Sequence, residues 1–509
     1  MEQEQAYHYV VIGAGATGSV VAARLSADPK TRVLLLEAGP PDTNPAIDDI
    51  GGFVSLWGSD IDWKLMTVDQ PAQGDRQILI NQGKTLGGGT AINAMMWVHG
   101  NRRNFDHWAE RGADGWSFAD VLPYFRKVEN FEGGASEFHG VGGPVSIRPN
   151  PDPNSPAEAF RVGATELGYD GPDWDYNGER QENGAGLLQF NITPDGQRAS
   201  AARSYLYSIR DRANLRIETD APVTRILFEG SRATGVEYMG AGQRRTARAE
   251  REVIVCAGAF FSPQLLMLSG IGPADHLRSH GIDVVADLPG VGQNLQDHLQ
   301  LPIVYAAKAE RPQPKLLTGE VLFLRTRQGS TDIGPDLQLN FTPAVPAPLA
   351  PVLNIPIPVC IFLPIMVNPE SSGEVRLRSA DPLDPPIVNP RYLQAEADYQ
   401  TFISAIQIIR DLAKTKAFSA EYAGEVAPGD ADLDAYIRSQ TSTLWHPAGT
   451  CAMGNDERAV VDPQLRVRGV DGLRVADASV MPTVTTGNTQ AACFMIGEKL
   501  AAMMLGETA

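Results

Sequence analysis

The first forty residues alternate between apolar and polar positions in a pattern that predicts a strand, a turn, a helix and a second strand. The apolar runs Tyr9–Ile12 and Val33–Leu36 have the length of buried strands. Between them, Gly13-Ala14-Gly15-Ala16-Thr17-Gly18 matches G-x-G-x-x-G, and Glu37 directly follows the second run. Such glycines let a backbone turn approach a pyrophosphate, and the acid accepts hydrogen bonds from ribose hydroxyls. The pattern predicts a βαβ unit that binds a dinucleotide; the alternative is a glycine-rich turn in another kind of α/β protein.

Farther along the chain, strand patterns and helical patterns come in blocks, which predicts two domains interleaved in sequence. Strand patterns recur over 215–256 and end in a glycine turn at Ala257-Gly258-Ala259. Residues 301–440 contain alternating strand patterns and then a helical stretch near 399–414, without a glycine-rich ligand turn. We therefore predict a dinucleotide-binding domain from residues 1–150, 201–300 and 441–509. Residues 151–200 and 301–440 are predicted to form a substrate-binding cap domain. The predicted fold class is α/β: a Rossmann-like domain with an inserted antiparallel-sheet cap.

Composition and charge indicate the size, the kinds of partner and the compartment to be expected for this protein. A chain of 509 residues is long enough for two domains, and its net charge of −18 argues against nucleic acid and anionic membranes as partners. The four cysteines are widely spaced, as is typical of a reducing compartment. The polar, acidic start Met1–Gln5 is unlike a signal peptide, and no apolar run approaches the length of a membrane span. We expect a cytoplasmic enzyme.

A second glycine-rich stretch contains Gly87-Gly88-Gly89-Thr90 ahead of a helix-like run. Backbone without side chains can pack flat against a ligand. A flexible loop explains the same composition equally well.

His446 is the strongest candidate for catalysis among eight histidines. It lies in a rigid turn with Pro447 and beside Trp445, where a neutral imidazole could accept a hydroxyl proton. Asn488 could donate an amide hydrogen to a developing alkoxide. The alternative is a purely structural histidine. There is no Gly-x-Ser-x-Gly elbow and no cluster with metal-ligand spacing, so a serine hydrolase and a metal site are not expected.

Five separated motifs resemble those of the glucose–methanol–choline (GMC) oxidoreductase family, whose members bind FAD. The motifs are Gly83–Asp106, Gly258–Gly272, Val291–His298, His446–Thr450 and Ala476–Ser479. The resemblance covers essentially the whole chain and is nearest in character to bacterial alcohol oxidases and choline-dehydrogenase-like enzymes. It implies a small-molecule alcohol as substrate and O₂ or another acceptor as the oxidant.

The resemblance also implies roles for the matching residues. Those implied to hold FAD are Gly13, Gly15, Ala16, Thr17, Gly18, Glu37, Ala38, Thr85, Gly88, Thr90, Asn93, Ala94, Met95, Val223, Asp477, Ala478, Asn488, Thr489 and Gln490. His446 and Asn488 are the implied catalytic residues, and Trp445 and His446 are expected to contact the substrate. Some relatives attach FAD covalently through a histidine; that position is Ile92 here, so non-covalent FAD is predicted.

The expected reaction is oxidation of a small primary alcohol to the aldehyde by hydride transfer to flavin N5. Largely apolar cap segments, Leu56–Trp63 and Phe341–Met366, favour an aromatic or furanic alcohol over a sugar or a quaternary ammonium. Two alternatives stay open: a non-redox FAD-containing lyase of the hydroxynitrile lyase type, and a plain NAD-binding protein.

Overall fold

The computed structural model describes residues 5–171, 173–327, 334–353 and 355–507. Its strands are β1 (Gln5–Ile12), β2 (Val33–Leu36), β3 (Leu65–Met66), β4 (Leu79–Ile80), β5 (Glu129–Phe131), β6 (Val145–Pro149), β7 (Gly184–Leu187), β8 (Gln189–Phe190), β9 (Leu215–Glu218), β10 (Val223–Glu229), β11 (Arg232–Gly240), β12 (Gln243–Val255), β13 (Ile271–Gly272), β14 (Ala286–Asp287), β15 (Gln293–Leu295), β16 (Leu299–Gln300), β17 (Ile303–Ala307), β18 (Glu320–Leu324), β19 (Leu337–Thr342), β20 (Val359–Met366), β21 (Gly373–Arg376), β22 (Ile387–Asn389), β23 (Tyr422–Ala427), β24 (Ser442–Thr443) and β25 (Leu473–Val475).

The α-helices are α1 (Ala16–Leu25), α2 (Phe53–Leu56), α3 (Gly89–Ile92), α4 (Arg102–Glu110), α5 (Phe118–Val128), α6 (Glu158–Glu166), α7 (Gly258–Leu268), α8 (Ala274–Ser279), α9 (Ala350–Leu353), α10 (Glu396–Ala413), α11 (Lys416–Glu421), α12 (Leu433–Gln440) and α13 (Gln490–Leu505). Single turns of other helix types cover Pro45–Ile47, Pro71–Gln73, Ala202–Leu206 and Ala478–Val480. Among the described residues, no helix combines the length and hydropathy that a membrane crossing requires.

The predicted βαβ unit forms the centre of a seven-stranded sheet. Strands β9, β2, β1, β12 and β25 lie side by side and run parallel, and β10 and β11 extend the sheet in antiparallel fashion from β12. All four residues of β2 are buried, which explains its unbroken apolar run. The carboxyl ends of parallel strands meet at one edge, where ligands of such folds bind. Gly13, Glu37, Cys256 and Ala476 follow β1, β2, β12 and β25 at that edge.

The glycine-rich stretches Gly13–Gly18 and Gly87–Thr90 pack against each other at this edge. Gly13 has φ +96°, and a Cβ on it would lie 2.4 Å from the carbonyl oxygen of Cys256. The N–H of Gly87 donates to the carbonyl of Ala14 at 2.9 Å, and a Cβ on Gly88 would lie 2.9 Å from the Cα of Gly15. Only glycine permits such close backbone contact. The second stretch is therefore part of the packed wall and not a free loop.

Helix α1 also packs along α13, which comes from the far end of the sequence. The hydroxyl of Thr17 donates to the carbonyl of Cys493 at 2.9 Å, and a Cβ on Gly497 would lie 2.8 Å from the Cβ of Val20. The first and last helices of the domain are thus in direct contact.

The predicted antiparallel cap sheet is confirmed. Its main strands lie in the order β23-β17-β20-β19-β18-β7, and every pair is antiparallel. Aromatic residues of α6 and α11, Phe160 and Phe418, pack against Phe341 and Phe362 of the sheet. The mixed α/β fold with a sheet-based cap agrees with the expectation from the sequence, and the exact five-segment division of the chain stays a prediction.

Two short cap strands bring distant parts of the chain together. Strands β16 and β24 pair with Leu299 opposite Thr443, and the next bridge joins Gln296 to Ala448. The segment after β24 therefore carries two extra residues relative to its partner, which is a bulge. The bulge contains Trp445 and His446.

Candidate active site

A cavity of about 600 Å³ begins at the carboxyl edge of the parallel strands and extends to His446 and Asn488. The predicted site residues that line it are Gly13, Gly15, Ala16, Thr17, Glu37, Ala38, Gly88, Thr90, Asn93, Ala94, Met95, Val223, Trp445, His446, Asp477, Ala478, Asn488, Thr489 and Gln490. These residues share one cavity although they come from seven stretches of the chain.

Gly18 and Thr85 lie behind the cavity wall and do not line it. A Cβ on Gly18 would lie 1.9 Å from the carbonyl oxygen of Gly13, so this glycine lets α1 approach the turn. The hydroxyl of Thr85 donates to the carbonyl of Pro40 at 2.8 Å. Both residues support the wall.

Glu37 fastens the glycine turn to the end of β2. One carboxylate oxygen accepts from the N–H of Ala14 and the other from the N–H of Gly39, both at 2.9 Å. Burial raises the pKa of Glu37 to about 7, and these hydrogen bonds oppose the rise. Each carboxylate oxygen retains acceptor capacity for a ribose hydroxyl.

Asp477 has a comparable supporting role at the end of β25. Its Oδ2 accepts from the N–H of Gly258 at 2.9 Å and from the hydroxyl of Ser262 at 2.5 Å, and its Oδ1 accepts from the N–H of Ser479. Burial raises the pKa of this carboxyl. The contacts fix the start of α7 at the cavity edge.

Asn93 and Gln490 join the loop after α3 to the start of α13. The Nδ2 of Asn93 donates to Oε1 of Gln490 at 2.9 Å, and Nε2 of Gln490 donates to the carbonyl of Met96 at 2.6 Å and to Oδ1 of Asn191 at 2.9 Å. Arg198 in turn donates to Asn93. These amides hold the Asn93–Met96 backbone in a fixed shape along the cavity.

The residues present fit FAD. A Cβ on Gly15 or Gly258 would meet no protein atom within 4 Å, so at both glycines the backbone borders open space along the cavity. Gly15 precedes the first turn of α1, where main-chain N–H groups favour a pyrophosphate. Ile92 lines the cavity with an aliphatic side chain that offers no atom for a covalent bond to flavin.

His446 has a polar partner on each ring nitrogen. Its Nε2 lies 3.1 Å from Nδ2 of Asn488, and its Nδ1 lies 3.0 Å from Nδ1 of His298. Because an amide nitrogen only donates, Nε2 of His446 accepts, and the proton of the ring is on Nδ1, donated to His298. The arrangement leaves Nε2 as the basic nitrogen, next to an amide donor.

Both histidines are neutral at ordinary pH. Burial lowers the pKa of His446 to about 3 and holds the pKa of His298 well below its usual range, and the neighbouring imidazole lowers the pKa of His298 further. Nε2 of His446 is thus unprotonated, and its lone pair accepts from the amide of Asn488.

Asp297 holds the two histidines in place through their backbones. Its Oδ1 accepts from the N–H of His298 at 2.9 Å and of His446 at 2.8 Å. Its Oδ2 accepts from the hydroxyls of Tyr392 and Thr443, each at 2.5 Å. Burial raises the pKa of Asp297 to about 6, against the effect of these four donors. The carboxylate thus accepts from the N–H of His446, which the bulge leaves without a carbonyl partner on the neighbouring strand.

Trp445 sits in the same bulge with a left-handed backbone, φ +62°. Such a conformation is strained for a bulky residue and is found most often at functional sites. Its ring packs against Trp57, with centroids 4.7 Å apart, and both indoles line the cavity. Its Nε1 and the Oδ1 of Asn488 are buried without a hydrogen-bond partner among the described residues.

No individual role was predicted for His298, Asp297 or Arg198, and Trp57 was predicted only as part of the apolar segment Leu56–Trp63. The first two belong to the Asn-Leu-Gln-Asp-His motif, which was the available signal. Arg198 lies in a stretch without a distinctive pattern, and only the tertiary contacts show that it is buried beside the cavity.

Comparison with known proteins agrees with the geometry. The family model for GMC oxidoreductase matches residues 7–300, and a second GMC oxidoreductase model matches residues 369–497. The chain is 41% identical to a GMC-type oxidoreductase of Mycobacterium tuberculosis over 97% of its length and 98% of the relative. It is 40% identical to an oxygen-dependent choline dehydrogenase of Burkholderia cenocepacia, over 99% of its length and 94% of the relative.

A solved structure gives the same result. The crystal structure of pyridoxine 4-oxidase from Mesorbium loti superposes with a TM-score of 0.89 at 31% identity, over 99% of this chain and all of that one. On these matches, the chain belongs to the GMC oxidoreductase family, whose members bind FAD and act on CH–OH donors.

Proposed function

We propose that this protein oxidises a small primary alcohol to the aldehyde, with His446 as the base and Asn488 as the hydrogen-bond donor to the substrate oxygen. The observation that carries the proposal is the 3.1 Å contact between Nε2 of His446 and Nδ2 of Asn488 in the cavity wall. FAD, when bound, supplies the acceptor for the hydride that leaves the alcohol carbon.

The two side chains suit a hydroxyl that takes the place of their direct 3.1 Å contact and reaches both groups. The hydroxyl proton is donated to the lone pair on Nε2, and the amide hydrogen of Asn488 is donated to the oxygen as negative charge develops there. Asp297 fixes the His446 backbone, so the base does not have to be oriented by the substrate. His446 therefore accepts the proton, and Asn488 donates a hydrogen bond to the oxyanion.

The cavity wall near His446 favours an apolar substrate. Trp57, Leu317, Leu444 and Trp445 line it. Among the described residues, the acids that line the cavity are Glu37, Asp384 and Asp477, and the first and last of these are held at strand ends by main-chain N–H groups. A quaternary ammonium at the apolar wall would rely on cation–π contacts with the indoles alone, whereas an aromatic or furanic alcohol also gains from burial against the aliphatic side chains, so it fits better.

The relatives' names are consistent with this class of reaction. Pyridoxine and choline, named as the substrates of two of them, are both alcohols. Of the two, pyridoxine is the aromatic one, and the indole pair of Trp57 and Trp445 offers an aromatic ring a flat partner.

The test is an anaerobic titration of the holoenzyme with benzyl alcohol, 5-hydroxymethylfurfural, pyridoxine and choline, followed by flavin absorbance. We expect bleaching with one or more aromatic or furanic alcohols and little with choline. Admission of air then shows whether O₂ is the acceptor. Bleaching by choline alone would overturn the substrate class. Absorbance that no alcohol changes, with release of cyanide from an added cyanohydrin, would replace the proposal by the lyase alternative.

A further inference from the structure

Arg198 is fully buried beside the cofactor cavity. Its Nε donates to the carbonyl of Ile47 at 2.8 Å, and its Nη1 donates to the carbonyl and Oδ1 of Asn93 at 2.7 and 2.8 Å. A longer contact of 3.3 Å joins Nη1 to the carbonyl of Thr90. Its Nη2 has no hydrogen-bond partner among the described residues. All of its acceptors are neutral oxygen atoms.

The guanidinium therefore has no counter-ion. No carboxylate of the described residues lies within 4.0 Å of its nitrogens. Asp48 and Asp49 are the acids that influence it from a distance, and Asp48 is paired with Arg203 at 2.7 Å. Other largely buried arginines have a direct partner: Arg327 lies 3.1 Å from Asp398, and Arg474 lies 2.6 Å from Glu252.

Burying an unpaired charge carries a large desolvation penalty, so the position of Arg198 calls for an explanation beyond packing. Burial lowers the pKa of Arg198 to about 9, so the group is still charged at neutral pH. The acceptors Thr90 and Asn93 line the cavity, so the charge is one residue layer away from it. In a medium of low dielectric constant, a unit charge still changes the electrostatic potential in a cavity that lies one residue layer away.

We propose that the unpaired positive charge of Arg198 stabilises the negative charge that FAD gains when it accepts a hydride, and so raises the reduction potential of the bound cofactor. A hydride adds two electrons and one proton, so the cofactor gains one negative charge. A fixed cation favours the more negative state, and charge near the flavin ring is a recognised way for a protein to tune its potential. Arg198 acts from the far side of Asn93 and contacts neither the substrate nor the base.

The competing explanation is mechanical. In that case the guanidinium only fastens the Pro45–Ile47 turn to the loop after α3, and its charge is irrelevant. Two substitutions separate the explanations because Lys keeps the charge with fewer hydrogen bonds, whereas Met keeps the length without the charge.

The experiment measures the midpoint potential of the holoenzyme against reference dyes at pH 6, for wild type, R198K, R198M and R198Q. Dithionite or an enzymatic donor supplies the electrons, so the result does not depend on the alcohol being known. We expect R198M and R198Q to shift the two-electron equilibrium at least tenfold towards the oxidised form, which is about 30 mV. R198K should stay close to wild type. A potential unchanged in both neutral variants, or lowered equally in R198K, would overturn the proposal.

Arg212 provides the matched control. Its Nη1 also donates to neutral acceptors, the carbonyl of Ala23 and the hydroxyl of Ser26, but the residue is partly exposed and does not line the cavity. R212M should leave the potential at the wild-type value. A shift equal to that of R198M would show a general effect of losing an arginine.

If neither neutral variant retains FAD, the pH dependence of the R198K potential tests the proposal on its own. Burial depresses the pKa of a lysine amine, so a rise in pH removes its charge before that of the guanidinium. The potential of R198K relative to wild type should then fall between pH 6 and pH 8, below the pKa of about 9 of Arg198 itself, by the same tenfold equilibrium shift. A constant difference across this range would contradict the proposal.

Discussion

The carboxylate of Asp297 accepts a hydrogen bond from the main-chain N–H of His446 at 2.8 Å. The imidazole is therefore positioned through its backbone, whereas the acid of a catalytic triad holds the imidazole ring itself. Burial lowers the pKa of the ring to about 3 and so keeps it neutral, and its Nε2 remains a proton acceptor.

Replacement of His446 by Ala should slow anaerobic flavin reduction by roughly 10²–10⁴-fold, the usual contribution of a general base. Stopped-flow absorbance at saturating alcohol measures this rate. The free energy of unfolding should change little, since the ring borders the cavity. A reduction rate within a factor of a few of wild type would remove His446 from the mechanism.

Asn488→Asp should be more damaging than Asn488→Ala. The carboxylate would place a negative charge beside the developing alkoxide, whereas Ala only removes the donor, a loss of about 10²–10³-fold in comparable oxyanion sites. The same reduction assay ranks the two variants. The reverse order, with the Asp variant faster, would show that position 488 does not face the substrate oxygen.

Flavin reduction should lose rate as the pH falls through about 6, where Asp297 takes up a proton. The neutral acid is a poorer acceptor for the N–H groups of His298 and His446, so the bulge loosens. Asp297→Asn keeps an oxygen for these two donors and an amide for the two hydroxyls, but cannot titrate. Its rate should therefore be nearly independent of pH between 5 and 7. An acid limb identical to that of wild type would assign the titration to another group.

Stability should depend on His139 above neutral pH. Burial alone would lower the pKa of His139, but hydrogen bonds to Asp175 and Glu129 raise it to about 9. A pKa raised in the folded state means that the contribution to stability is complete below about 6.5 and is lost as the pH rises through 9. The free energy of unfolding in urea should therefore fall between pH 6.5 and 9, and His139→Gln should lose this part of the slope. His107→Gln serves as control, because His107 is only partly exposed and burial lowers its pKa, which places its titration below this pH range.

FAD should be released intact by acid precipitation. Ile92 offers no nucleophilic atom at the place where some relatives carry a histidine, so the yellow colour should appear in the supernatant after trichloroacetic acid. Absorbance of the two fractions is sufficient. Colour retained in the pellet would show a covalent bond made by another residue.

Much of the cofactor site could be predicted because it consists of local motifs. The turn at Gly13, the acid after β2 and the loop around Gly88 each carry their geometry in a few consecutive residues, which leaves a pattern in the sequence. The cap strand over 359–366 was likewise visible as an apolar run.

The parts that could not be predicted depend on pairing between distant segments. His298 meets His446 only because β16 pairs with β24, and the two extra residues of the bulge show only once the register is known. Arg198 is recognisable as a buried charge only when the absence of a neighbouring carboxylate among the described residues can be seen.

The contact between Thr17 and Cys493 has a consequence for biosynthesis. These residues are 476 positions apart, so the ribosome makes the dinucleotide turn long before its partner helix. Until α13 emerges, the nascent chain has no Asn488 and no Gln490 with which to close the cavity. High-affinity capture of FAD must then be a late step of maturation. The supply of FAD would therefore act on nearly complete chains. By binding only the folded domain, FAD would shift the equilibrium from chains that have not yet formed their long-range contacts towards the folded state.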